Sequence, residues 1–112
     1  MDVLQLTRDL VAIDSTTGRE GAVCRFVADL LERGGWTVQR QPVKGDRMNV
    51  YATRGTPVVV FSTHLDTVPP FLPLREDADA LRGRGTCDAK GLAAAMIAAA
   101  ESLVAEGEER IG

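Results

Sequence analysis

The only histidine of the chain, His64, stands two residues before a carboxylate in Ser62-Thr63-His64-Leu65-Asp66-Thr67-Val68-Pro69. On an extended backbone, positions two apart point to the same side, so His64 and Asp66 can act together. One chemistry this suits is metal binding. A ligating imidazole generally donates its second ring N–H to a carboxylate, which fixes the tautomer and makes the other nitrogen a better ligand. The segment follows Val58-Val59-Val60-Phe61, a continuously apolar, β-branched run that predicts a central strand covered on both faces, spanning about Val58 to Ser62. Ligands of open α/β sheets bind just beyond the carboxyl ends of such strands. Taken alone, the pair also has a plainer reading, with His64 a hydrogen-bonded histidine and Asp66 a turn former.

A second segment, Gly83-Arg84-Gly85-Thr86-Cys87-Asp88-Ala89-Lys90-Gly91, is a glycine-rich turn leading into an alanine-rich stretch. Turns of this kind often hold phosphate at a helix N-terminus, and the spacing tests that reading. The dinucleotide fingerprint needs its third glycine where Asp88 stands, and a carboxylate there would repel a pyrophosphate. Counted from Gly85, the phosphate loop needs glycine at position 90 and lysine at 91, whereas the chain has Lys90 and Gly91 with no Ser or Thr next. What remains is Asp88, close to a helix start. By itself it reads as a helix cap accepting backbone N–H groups. Beside the histidine motif it reads as a second hard ligand, because the intervening chain is long enough to return it toward His64. One histidine with carboxylates suits zinc, and a carboxylate can bridge two metals. Cys87 is a soft ligand in principle, but successive side chains diverge, so it is expected to be a small buried residue.

These segments need elements to position them. Val3, Leu6, Leu10 and Val11 recur at helical spacing, and Asp14-Ser15-Thr16-Thr17-Gly18 breaks that helix near Ile13. From Glu20, the stripe Val23, Phe26, Val27, Leu30 and Leu31 predicts a second helix ended by Gly34-Gly35. Trp36–Gln41 and, more weakly, Asn49–Thr53 alternate as half-buried or edge strands around a turn at Lys44–Arg47. Arg75–Asp79 reads as a polar surface loop after Pro69-Pro70. About Lys90 to Glu106 forms an alanine-rich helix, with Leu92, Met96, Ala99 and Leu103 on one face and Ala93, Ile97, Ala100 and Val104 beside them; such small residues let a helix lie close on a sheet.

Composition bounds the class. With 45% hydrophobic and 26% charged residues in 112, the chain is an ordinary globular domain, one at most. Lys plus Arg total 13 against 16 for Asp plus Glu, a formal net charge of -3, and the basic residues are scattered. No nucleic-acid or anionic-membrane partner is expected from that balance. No apolar run approaches a membrane span and Met1-Asp2-Val3 opens no signal peptide, so a cytoplasmic location is expected. Cys24 and Cys87 lack CxxC spacing, which argues against a disulfide framework, and Cys24 reads as packing.

Taken in order, the two segments resemble the paired signature of the zinc metallohydrolases that include aminoacylase, acetylornithine deacetylase, succinyl-diaminopimelate desuccinylase and glutamate carboxypeptidase. The likeness runs essentially from end to end and includes the Asp14-Ser15-Thr16-Thr17-Gly18-Arg19-Glu20 loop. It implies an α/β fold, helices packed on a mixed β-sheet, as the N-terminal portion of a zinc-exopeptidase-like catalytic domain. It implies a metallohydrolase cleaving amide or peptide bonds of N-acyl amino acids or small peptides by metal-activated water, with two zinc ions and cobalt as the alternative. By that similarity His64 is a ligand of one zinc, Asp66 is the active-site carboxylate that clamps its imidazole, and Asp88 bridges both metals. The peptide bond after Asp88 is typically cis in such enzymes.

Members of that family are much longer. Soon after the equivalent of the alanine-rich helix they have a strand leading to adjacent glutamates, one a general base and the next a ligand. Residues 1–112 are therefore expected to form the N-terminal part of the catalytic domain, without its remainder or the lid or dimerisation domain of a full-length parent that the resemblance allows to be a homodimer. Glu108-Glu109 directly follows Gly107 at the helix end and reads as a solvated turn. Two other readings stand beside this one: a non-catalytic interaction module derived from such an enzyme, and a nucleotide-binding α/β domain built on the Gly83–Gly91 turn. Unpaired backbone and apolar side chains along Val58–Ser62 would be a template for association. The isolated chain is accordingly expected to be marginally stable and to self-associate, as measured by size-exclusion chromatography and urea unfolding. A strictly monomeric species with one cooperative transition and high stability would favour the interaction module.

Overall fold

Asp2 starts the first helix, its carboxylate accepting the Leu4 and Gln5 N–H groups at 3.0 and 3.1 Å. These are donors that a helix N-terminus otherwise leaves unpaired. In the computed structural model, which describes residues 1–112, helix α1 then runs Val3–Ala12 and buries Leu6, Leu10 and Val11. Helix α2, Gly21–Arg33, buries the stripe Val23, Cys24, Val27, Ala28 and Leu31. It ends where Gly35 takes a φ of 83°, a backbone that disfavours any side chain. Strands β1, Thr37–Lys44, and β2, Arg47–Thr53, form an antiparallel hairpin through a turn at Gly45, with Thr37 opposite Thr53. Both helices and both strands fall where periodicity and turn residues place them.

The Arg75–Asp79 loop is instead a small hairpin. β3, Arg75–Glu76, pairs with β4, Leu81–Arg82, around Asp77, whose carboxylate accepts the Asp79 and Ala80 N–H groups at 3.0 Å. No alternation over so few residues announces such strands. Helix α3, Lys90–Ala105, packs against α1 through alanines, with Ala93, Ala94 and Ala100 buried. Leu92 points outward and is exposed, so the packed face is the Ala93, Ile97 and Ala100 one. Leu6, Leu10, Val23, Val27, Leu31, Trp36, Ala93 and Ile111 belong to one core. The Trp36 indole N–H donates to Glu101 at 2.9 Å and so joins the start of the hairpin to α3.

The architecture is mixed α/β, as expected, but its sheet differs from expectation at the apolar run. Ile111 bridges Arg54 in antiparallel sense and Val59 in parallel sense, and Val58 and Phe61 donate backbone N–H bonds to Arg110 and Gly112 at 2.8 Å. Val58–Ser62 is therefore laddered on one side over a few residues and is not a regular strand. It is not covered on both faces either, Val58 being 70% and Val60 52% exposed. The reason is steric supply. α3 lies on α1, and between α3, β2 and Val60–Thr63 is left an open apolar cleft of about 250 Å³.

Between α1 and α2, Glu20 is almost wholly buried and is held at both oxygens. It accepts the Gly18 N–H at 2.8 Å and two guanidinium N–H bonds of Arg47 at 2.8 and 3.2 Å. Burial raises its pKa, but those bonds outweigh it and hold the carboxyl below its ordinary value. Because the folded-state value is depressed, this stabilisation is complete above the ordinary carboxylate range and is lost as pH falls through the folded-state pKa. Glu20→Gln is expected to destabilise the chain by about 1–3 kcal/mol at pH 7. Urea unfolding at stepped pH should show that difference shrinking toward acid; a difference independent of pH would contradict the role given to the carboxylate.

Candidate functional site

His64 and Asp66 follow the apolar run, and the ring nitrogen Nδ1 of His64 lies 3.1 Å from an Asp66 carboxylate oxygen and 3.0 Å from the Asp66 carbonyl. Both partners are acceptors, so the proton belongs on Nδ1 and the lone pair of a neutral ring on Nε2. That second nitrogen faces Asp88, 3.0 Å from its Oδ1. The structure thus brings together all three residues singled out in the sequence. His64 and Asp88 are exposed and Asp66 is half-buried. Partial burial pulls the His64 pKa down, but the bond to the Asp66 carbonyl and the charges of Asp66 and Asp88 raise it above the ordinary imidazole value. An exposed ion pair contributes only about 0–1 kcal/mol, so this contact reports the placement of its loops and does not create it.

The turn that carries Asp88 is shaped by close approach. At Gly83, φ 158°, an added Cβ would meet a Val11 methyl at 2.8 Å; at Gly85, φ 97°, it would meet the Lys90 chain at 2.9 Å and a Thr67 methyl at 3.1 Å; at Gly91 it would strike the Thr86 carbonyl. The glycines that mimic a phosphate loop in sequence are thus spacers for packing here. The Asp88–Ala89 bond is cis, as is Pro69–Pro70. Lys90, the first residue of α3, is fully buried and donates its ammonium to the Ile13 carbonyl. Burial draws its pKa down to about 8, with the nearby Asp14 charge opposing.

His64 and Asp88 fit a metal in kind, an imidazole nitrogen and a carboxylate oxygen aimed at one point with the other ring nitrogen already clamped. They do not fit in number. No group of three or more His, Cys, Asp or Glu side chains that could hold an ion occurs, whereas zinc takes three or four protein ligands. Glu20, the other acid lining the polar pocket of about 330 Å³ beside His64, is occupied by Arg47. Glu108 pairs with Arg110, and Glu109 is exposed. Cys87, expected to be buried, is exposed, because the turn directs it outward just before the chain enters α3. Cys24 is buried, its thiol 3.5 Å from the Met48 carbonyl and its pKa raised by burial. The Glu20–Arg47 pair bordering the site was not singled out in the sequence, where nothing local connects positions 27 residues apart.

Residues 60–112 match peptidase family M20/M25/M40. A probable carboxypeptidase of Aspergillus clavatus is 42% identical over 91% of this chain and 26% of its own length. A probable carboxypeptidase of Emericella nidulans is 42% identical over 92% and 27%, respectively. A peptidase M20 domain-containing protein of Schizosaccharomyces pombe is 41% identical over 99% of this chain and 29% of its own. The family resemblance read from the two signature segments is borne out, and the chain is related to the M20/M25/M40 peptidases. It spans under a third of the length of these relatives.

With a single histidine in the chain, the imidazole pairing is open to direct observation by NMR. In metal-free protein His64 should titrate above the ordinary value of about 6.5, and Asp88→Asn should lower its midpoint. A wild-type midpoint at or below that value would contradict the pairing.

Proposed function

We propose that these residues are the N-terminal part of the catalytic domain of a metal-dependent hydrolase that cleaves amide or peptide bonds of N-acyl amino acids or small peptides. The observation that carries this reading is the convergence of His64, Asp66 and Asp88 at the end of the apolar run. Relatives named as probable carboxypeptidases support the peptide-cleaving side of it. In the full-length parent, His64 and Asp88 would be ligands and Asp88, with its second oxygen free, the bridging one. The ion proposed is zinc, two per site with cobalt as the alternative, and when bound it supplies Lewis acidity and an activated water. Asp66 holds the imidazole in the tautomer that leaves Nε2 free to bind and raises its basicity. A carboxylate that moves the proton to the leaving amine is not among the residues around His64, since Glu20 is tied to Arg47. Residues 1–112 by themselves are therefore proposed to be inactive.

No helix is long and apolar enough to cross a membrane. A cytoplasmic setting is proposed on the two free cysteines, which suit a reducing compartment. A small-molecule partner is favoured over nucleic acid by the net charge of -3.

Calorimetric zinc titration of the 112-residue chain should give weak binding, with no hydrolysis of N-acyl amino acids or short peptides. In the full-length parent, Asp66→Asn should lower metal affinity by about 10–100-fold. Tight stoichiometric zinc with turnover in the short chain would overturn the half-site.

A further inference from the structure

His64 and Asp88 are exposed side chains on two different loops, and a solvated contact between them contributes little to holding those loops. Something buried must set their separation. Both loops hydrogen-bond to one five-residue segment, Ile13–Thr17. On the His64 side, the Ser15 hydroxyl donates to the Leu65 carbonyl at 2.7 Å, the Thr67 N–H donates to the Ser15 carbonyl at 2.9 Å, and the Thr17 N–H donates to the Thr67 carbonyl at 3.0 Å. These bonds grip the residues immediately before and after Asp66. On the Asp88 side, the Lys90 ammonium donates to the Ile13 carbonyl, two residues before Ser15.

Ser15 and Lys90 have no exposed surface, and Thr67 is 2% exposed. Thr67 and Lys90 also both pack close to Gly85, where an added Cβ would touch each of them. The segment itself is stiffened by Asp14, whose carboxylate accepts the Thr16 N–H at 3.0 Å and the Thr16 hydroxyl at 2.9 Å. We propose that Ile13–Thr17 is a clamp that sets the separation of His64 and Asp88, with Ser15 and Lys90 as its positioning residues. The clamp acts on the geometry of the pair; it touches neither His64 nor Asp88 directly. Its bearing on metal affinity rests on the metal-site reading above, whereas its bearing on the His64–Asp88 contact does not.

The experiment compares Ser15→Ala and Lys90→Met with Val104→Ala, a part-buried position near the C-terminal end of α3, about 21 Å along the helix from Lys90. Two readouts are taken. In metal-free protein the ¹⁵N shifts of the His64 ring report its contacts with Asp66 and Asp88, with circular dichroism confirming that each variant is folded. Cobalt(II) is then titrated and followed by its visible absorption. The clamp predicts that Ser15→Ala and Lys90→Met move the Nε2 resonance toward that of a free imidazole and weaken cobalt binding about tenfold or more, the lower end of what loss of an orienting partner costs a metal site. Val104→Ala should leave both readouts near wild type. If Lys90→Met does not fold, Ser15→Ala, which removes one hydroxyl, decides the question. Wild-type ¹⁵N shifts in a folded Ser15→Ala variant would overturn the clamp. Cobalt that binds the wild-type chain without perturbing the His64 ring resonances would overturn the metal-site reading instead and leave the shift comparison to judge the clamp.

Discussion

A lysine ammonium cut off from water is tolerated only where the protein returns what hydration gave it. Lys90 meets that condition at one place, the Ile13 carbonyl just past the end of α1. The pairing has consequences in both directions along the chain. It brings the N-terminus of α3 against the C-terminus of α1, so the alanine face of α3 closes on α1 and not on the hairpin. It also fixes the position of the turn that precedes Lys90, and with it the carboxylate of Asp88. The small side chains Ala93, Ala94 and Ala100 make this approach possible, because larger residues would hold the helices apart and leave the ammonium without its acceptor.

A polar counterpart lies at the start of α2. Glu20 and Arg47 form a two-toothed ion pair in which the carboxylate is nearly buried and the guanidinium half-exposed. The pair ties the first loop to β2 and leaves the adjoining pocket with one acid, Asp66, free to act on His64. Removing Arg47 would leave the nearly buried carboxylate without its counter-charge, a heavier penalty than loss of a surface pair. The chain therefore keeps its buried charge at two points, Lys90 and Glu20, and both lie next to the loop between α1 and α2.

Much of this was legible from local pattern. The stripes Leu6, Leu10, Val11 and Val23, Val27, Leu31 are inward faces set by a period of 3.6 residues, and Gly34-Gly35 ends α2 as its composition requires. His64, Asp66 and Asp88 were legible because two motifs each restrict backbone as well as chemistry. What local pattern does not carry is which element covers which. Val58–Phe61 has the composition of a strand buried on both faces, yet only the Arg110–Gly112 segment flanks it among these residues, and its valines face solvent. Leu92 and Cys87 were misplaced for the same reason, since their orientation depends on how α3 docks on α1. The β3–β4 hairpin and the Glu20–Arg47 pair leave no periodic trace at all.

The glycines of the Gly83–Gly91 turn are held by steric closeness to Val11, Thr67, Lys90 and the Thr86 carbonyl, while Asp88 stands exposed beside them. Loss of a glycine would disturb the fold, and loss of Asp88 would leave the backbone as it is. A sequence could therefore keep the whole glycine pattern for its packing and still vary at position 88. Substitution at the glycines is thus limited by packing, whereas substitution at position 88 is limited only by what its exposed carboxylate does.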